Sequence, residues 1–137
     1  MNYLEEIAMI HLTKVLKCFV VPQYEILYGK GSVWSCPDFV ALDFNNRKLA
    51  VVEVTGGTKT KGLLDKINNG NIQYFDKLIP QLKERGVHVD SWEQEIWVYI
   101  RKSNSHLFSS KKNVQCFAFE DIGYTWEESF WEIVPAK

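Results

Sequence analysis

The stretch PDFVALDFNNRKLAVVEVTGG, Pro37 to Gly57, decides how the chain is read. It holds two apolar runs with a pair of asparagines between them. The first run opens on Asp38 and the second closes on Glu53. Val, Leu, Ala and Phe dominate both runs, which marks two strands, and Asn45 and Asn46 mark the turn that joins them. The second run, Lys48 to Thr55, is apolar on both faces, as a central strand is. Side chains alternate faces along a strand. With Asn45 and Asn46 as a two-residue hairpin loop, Phe44 faces Arg47, and counting outward Asp38 faces Glu53 on the same side of the sheet. A four-residue loop from Phe44 to Arg47 keeps that register. A three-residue loop without a bulge would send the two acids to opposite faces.

Directly opposed residues have Cβ atoms about 4.5–5.5 Å apart, and like charges at that distance repel. A carboxylate at the end of an apolar strand also loses hydration. Unpaired, it is neutralised by a raised pKa or takes a partner. A divalent cation held by carboxylate oxygens and water is one such partner. The plainer reading is that the strand ends near Glu53 and its carboxylate points to water. The second acid, in matching register, weighs against that. Asp43 has the opposite parity and adjoins the turn, so it is expected in solvent.

Outward from the hairpin, residues Asn2 to about Lys17 have helical periodicity, with Leu4, Ala8, Leu12 and Val15 on one face. PQYEILY (Pro22 to Tyr28) reads as a strand and GKGSVWSC as a loop of small residues. Lys59 to about Glu84 reads as helical, with NNGN (Asn68 to Asn71) as a break point. EIWVYIR (Glu95 to Arg101) and NVQCFAF (Asn113 to Phe119) read as strands. KSNSHLFSSKK between them reads as a polar loop, and YTWEESFWEIV as a short helix over the sheet. The order is helix, three strands, helix, strand, strand, helix. The expected fold class is α/β: a mixed central sheet flanked by helices.

The chain has 137 residues, which predicts one domain over 1–137. It is 46% hydrophobic and 14% aromatic, enough for a core and too apolar for a disordered chain. A formal net charge of -1 excludes gripping nucleic acid by bulk charge but not by a local basic face. Three widely spaced cysteines, Cys18, Cys36 and Cys116, form no CxxC pair, which argues against a disulfide framework or a zinc site. A reducing, intracellular setting is expected, with no secretion signal and no membrane span.

Pro37-Asp38, a short hairpin, then Glu53-Val54-Thr55 at the end of a central strand resembles the PD-(D/E)XK nuclease superfamily, the restriction-endonuclease-like proteins. The order of elements, αβββαβ at its core, is similar to that family's over most of the chain. The resemblance implies that Asp38 and Glu53 ligate Mg²⁺ or Mn²⁺, that the Val54 carbonyl faces the metal, and that an acid of the first helix completes the cluster. Glu5 has Ala8, Met9 and Leu12 on its side of the helix and is preferred there, with Glu6 second and Glu25 third. A first-turn acid also suits the helix dipole without any ligand. In one branch of the family a helical His ligates metal; His11 is read instead as a satisfied core or surface residue.

The sequence departs from the family at Thr55, where the motif has Lys. A hydroxyl cannot supply that positive charge. The pattern resembles variants whose lysine lies on the following helix, such as the cap-snatching endonucleases of segmented negative-strand RNA viruses. Lys66 and Lys61 are then the candidate catalytic lysines, with Lys59 a third. Lys59, Lys66 and Gln73 recur at a spacing of seven, beside the Leu63, Ile67 and Leu78 stripe. Nucleases of the RecB type carry a helical Gln, but their QxxxY spacing is not kept, since Tyr74 follows Gln73 directly. A solvated helix face explains the lysines equally well, and loss of catalysis explains Thr55.

On the substrate side Lys30, Lys59 and Gln73 are candidate contacts, with Trp34 read as packing under its loop rather than stacking a base. RKSNSHLFSSKK suits phosphate contact and an ordinary loop alike. Trp92, Trp97, Phe117 and Phe119 are read as core, and the acidic tail (Glu127, Glu128, Glu132) as lying away from nucleic acid. The expected function is a metal-dependent nuclease acting on DNA ahead of RNA, with a homodimer left open. The alternative is a catalytically inactive nuclease-fold module that binds nucleic acid or protein.

Overall fold

The computed structural model describes residues 1–28, 31–57 and 60–122. Helix α1 (Tyr3–Ile10) begins at a reciprocal cap: the Asn2 side chain accepts the Glu5 N–H, and the Glu5 carboxylate accepts the Asn2 N–H. It runs on as a π-helical turn, His11–Val15, and Lys17 then reverses the chain at φ 58°. Strand β1 (Phe19–Pro22) follows directly. The small strands β2 (Ile26–Leu27) and β3 (Val33–Ser35) form a separate two-stranded sheet. The hairpin is β4 (Phe39–Asp43) and β5 (Lys48–Val54). Helix α2 (Lys61–Asn68), a π-helical turn (Asn71–Phe75) and helix α3 (Asp76–Glu84) form one crossover. Strand β6 (Glu93–Ile100), a 3₁₀ helix (Lys102–Leu107) and strand β7 (Val114–Ala118) complete the described elements.

Among the described residues the main sheet has five strands in the order β1-β4-β5-β6-β7. The β1–β4 and β4–β5 pairs are antiparallel; β5–β6 and β6–β7 are parallel. The sheet is mixed and carries helices on both faces, so the protein is of the α/β class, as expected from the sequence. The parallel joint between β5 and β6 requires a crossover, and α2 through α3 provides it.

Parity along β5 sorts the core into two layers. Leu49 and Val51 face the crossover, where Ile67, Tyr74, Phe75, Leu78 and Leu82 are buried against Val98 and Ile100. Ala50 and Val52 face the other way, against Ala8, Leu12, Trp97 and Tyr99. β5 is thus buried on both sides, which explains its run of small and branched apolar residues. Each fully buried Val or Leu there contributes about 1.5–3 kcal/mol. Two glycines fit their places for steric reasons. Gly86 ends α3 at φ 86°, while the Val87 N–H returns to the Leu82 carbonyl at 2.9 Å. A Cβ on Gly70 would lie 2.8 Å from the Ile96 side chain, so the start of the π turn sits close on β6.

Several local expectations are corrected. The first sheet strand is FVVP rather than PQYEILY: Lys17 in the left-handed region ends the helix early enough to free Phe19. Within PQYEILY, Pro22 ends β1, Ile26 and Leu27 form the short β2, and Glu25 is an exposed residue of the connection. VWS inside the expected loop is a strand, and part of the polar segment after β6 is a 3₁₀ helix. Asp43 is not in solvent. It is buried, and its two oxygens accept from the Asn46 N–H at 3.1 Å and the Asn46 side-chain amide at 2.9 Å. An Asx-type turn with Arg47 at φ 53° draws the carboxylate inward. The expected C-terminal helix and the acidic tail lie outside the described residues.

Candidate metal and catalytic site

The hairpin register is Phe39 with Val52 down to Asp43 with Lys48, leaving a four-residue connection Phe44 to Arg47. Continued outward by one pair, it sets Asp38 against Glu53. Both acids have the parity of Val40 and Val51, on the crossover side of the sheet. Their carboxylates bond across the hairpin. The Val54 N–H donates to Asp38 Oδ2 at 2.7 Å, and the Asp38 N–H donates to Glu53 Oε1 at 3.2 Å.

Pro37 explains why a side chain takes the Val54 amide. The Thr55 N–H bonds to the Tyr99 carbonyl on the β6 side, so the backbone groups of Val54 point to β4, opposite Pro37. Proline has no N–H to offer the Val54 carbonyl. The next rung of the ladder therefore lacks its donor, and Asp38 reaches in to accept from the other group of the pair. The Val54 carbonyl has no backbone donor opposite it, which suits an oxygen that could face a cation.

Electrostatics at this end of the sheet are unfavourable to the charged acids. Glu53 is buried, which raises its pKa; the Asp38 charge raises it further, while Lys66, the Asp38 N–H and the nearby, poorly aligned Tyr74 hydroxyl work the other way. Asp38 is half-buried, and burial likewise raises its pKa; the Val54 N–H opposes this, and the Glu5 carboxylate beside it adds to it. Glu5 therefore lies against Asp38 from the N-terminus of α1, whereas Glu6 is exposed. Lys66, from α2, places its ammonium 3.7 Å from Glu53 Oε2. Cys36 is exposed, and its thiol pKa is raised by the little burial it has and by the charges of Glu25, Asp38 and Glu53.

The other candidates fall as follows. Thr55 is half-buried just past β5, and its N–H extends the parallel ladder. Lys61 is exposed at the start of α2. Gln73, expected at the substrate, has its side-chain amide committed to Ser35 Oγ at 3.1 Å, and its carbonyl accepts from the Trp34 indole at 2.9 Å. It is a strut between the π turn and β3. Trp34 packs under its own loop, as expected. His11 is buried, with Nδ1 2.6 Å from the Tyr99 hydroxyl, and burial lowers its pKa to about 4; it is a core residue. Lys30 and Lys59 lie outside the described residues.

Sequence reasoning missed Tyr74. It is fully buried beneath Glu53, and its hydroxyl has no hydrogen-bond partner of acceptable geometry. The adjacency shows in the phenol's own pKa, which burial and then the Glu53 charge raise. No local signal pointed to it, since an α-helix turns consecutive residues about 100° apart and so puts Tyr74 off the Gln73 face. The π turn brings both inward instead.

The donors here are hard oxygens: two opposed carboxylates, a third beside them and a backbone carbonyl. That set fits Mg²⁺ or Mn²⁺ rather than a soft metal. Among the described residues no three acid, His or Cys side chains already form a closed ligand group. Mg²⁺ needs no such cage, because it keeps several waters and is held by one or two carboxylates plus phosphate oxygens. A cavity of about 600 Å³ lies elsewhere, between the end of α2 and the start of β7, lined in part by Asn71, Ile96 and Lys111; it contains none of these acids. Among the described residues no helix is long and apolar enough to cross a membrane. Comparison with protein-family models returned no match, and comparison with curated protein sequences returned none.

Proposed function

We propose that the protein is a metal-dependent nuclease of the PD-(D/E)XK type that hydrolyses phosphodiester bonds of DNA or RNA. One observation carries the proposal. Asp38 and Glu53, opposed at the open end of the β4–β5 hairpin, are both held against burial and mutual repulsion, and a lysine from the next helix stands beside them. Groups perturbed by burial and a like charge are concentrated at functional sites, and a bound cation would relieve both.

In this reading Asp38, Glu53 and the Val54 carbonyl would hold Mg²⁺ or Mn²⁺, with Glu5 as a third acid beside Asp38. A cation held there would supply an activated water and neutralise phosphate charge. Lys66 takes the place of the missing motif lysine. From the crossover side it can stabilise charge developing on the scissile phosphate, a role Thr55 cannot fill. Lys61, one turn earlier and exposed, is the reserve candidate.

The test is cleavage of labelled single- and double-stranded DNA and RNA, with Mn²⁺ and with EDTA, beside Asp38→Ala protein. Metal-dependent cleavage lost in the variant supports the proposal and names the substrate class. Equal binding of nucleic acid by both proteins, with no cleavage of any substrate, replaces it with an inactive binding module in which Thr55 marks the lost lysine.

A further inference from the structure

We infer that Tyr74 is a positioning residue for Glu53: its buried, unpartnered hydroxyl becomes a donor to the Glu53 carboxylate when a divalent cation engages the Asp38–Glu53 pair. The inference rests on the metal reading above and adds a residue that reading does not use.

The starting point is an anomaly of packing. Tyr74 is fully buried, and a phenylalanine would fill the same space without hiding a polar group. A buried donor left unpaired costs free energy, and such a group calls for a reason. The candidate acceptor is next to it. Glu53 spends Oε1 on a long bond from the Asp38 N–H, 3.2 Å, and Oε2 lies 3.7 Å from Lys66, outside hydrogen-bonding range. Each carboxylate oxygen has two acceptor sites, so a cation can take one and leave the other for a protein donor.

The hydroxyl suits that task better than a cation does. A neutral O–H fixes the carboxylate's orientation without adding positive charge that would compete with the metal. Buried metal ligands are commonly oriented by such outer partners. The phenol keeps its proton at physiological pH, since burial and the neighbouring Glu53 charge raise its pKa. Its ring is also held rigidly. The π turn directs Gln73 to Ser35 and Tyr74 to Glu53 from consecutive positions, and the ring packs beside Phe75.

The test compares full-length wild type with Tyr74→Phe by two measurements. One is thermal unfolding in EDTA. The other is Mn²⁺ titration followed by the EPR signal of the free ion. The expected result is an unfolding midpoint in EDTA equal to or above that of wild type, with Mn²⁺ affinity about tenfold weaker. A lower midpoint in EDTA would show the hydroxyl already paired in the metal-free protein and overturn the inference. So would unchanged Mn²⁺ affinity beside a wild type that binds the ion, and that result leaves the nuclease proposal standing. Wild type that binds no Mn²⁺ removes the metal reading itself, and the role of Tyr74 with it.

Discussion

Two glutamates, one on β5 and one on β6, are buried to the same degree, 8% exposed for Glu53 and 7% for Glu95. Each has a lysine near it. Glu95 is complete. Its Oε2 pairs with Lys48 at 3.0 Å, and its Oε1 accepts from the Trp97 indole at 2.8 Å and the Gln115 amide at 2.9 Å. The bond from Glu95 raises the Lys48 pKa, as a satisfied pair does. Glu53 has a lysine 3.7 Å away, one long backbone bond, an opposing acid and a hydroxyl that does not bond to it. Burial does not separate the two. The difference is in the number of donors each carboxylate has, and under the proposed function the shortfall at Glu53 is where a cation would bind.

The largest effect expected from breaking this contrast is on chemistry. Asp38→Asn keeps the shape and removes the charge, and should lower Mn²⁺-dependent cleavage at least about 100-fold, or about 2.7 kcal/mol, measured as initial rate on the preferred substrate. Next comes stability at the other glutamate. Glu95→Ala leaves Lys48, the buried Trp97 indole and the half-buried Gln115 amide without their acceptor and should destabilise the fold by about 2 kcal/mol in urea unfolding. That figure sits below the usual range for broken buried pairs because Lys48 is partly exposed.

Lys66→Ala should slow cleavage about tenfold while changing stability by less than about 0.5 kcal/mol, since its side chain is half exposed. If Lys61→Ala proves the slower enzyme, the two lysines exchange roles. The smallest effect has the opposite sign from the usual mutant. Glu53→Gln should stabilise the metal-free protein by about 1 kcal/mol at neutral pH, in the manner of relieved functional sites.

The pH dependence follows from the same acids. The pKa values of Asp38 and Glu53 are raised in the folded state, so the folded protein holds their protons more tightly than the unfolded chain does. Their contribution to stability is present in full below the unfolded carboxylate pKa and is lost as pH rises through the raised values. Metal-free wild type should therefore gain stability relative to Glu53→Gln as the pH is lowered toward the carboxylate range. Mn²⁺ affinity should run the other way, because proton and cation compete for the same oxygens.

The hairpin was legible because its signal is local. Two apolar runs and an Asn pair fix the register, and register fixes which acids meet. Lys66 was legible as one of three lysines, by phase along a helix; its position beside Glu53 depends on how the crossover lies, which no window of sequence contains. Asp43 was misread because parity says which face a side chain takes but not whether a turn folds over it. β1 was missed because FVVP adjoins the helix without a Gly or Pro before it, and the reversal falls on Lys17, a residue that rarely adopts positive φ. Tyr74 could not be seen, because an α-helical count puts it off the Gln73 face and only the π turn brings it inward.

At the open end of the hairpin, side chains finish the sheet. The amide of Val54 closes on one carboxylate and the amide of Asp38 on the other, in place of the rung that Pro37 cannot make. Anything that claims those oxygens, a cation or a proton, loosens the zipper at that end. The two amides are therefore a built-in reporter. Their hydrogen-exchange rates should rise together when the carboxylates are engaged, and stay fixed when a ligand binds anywhere else on the molecule.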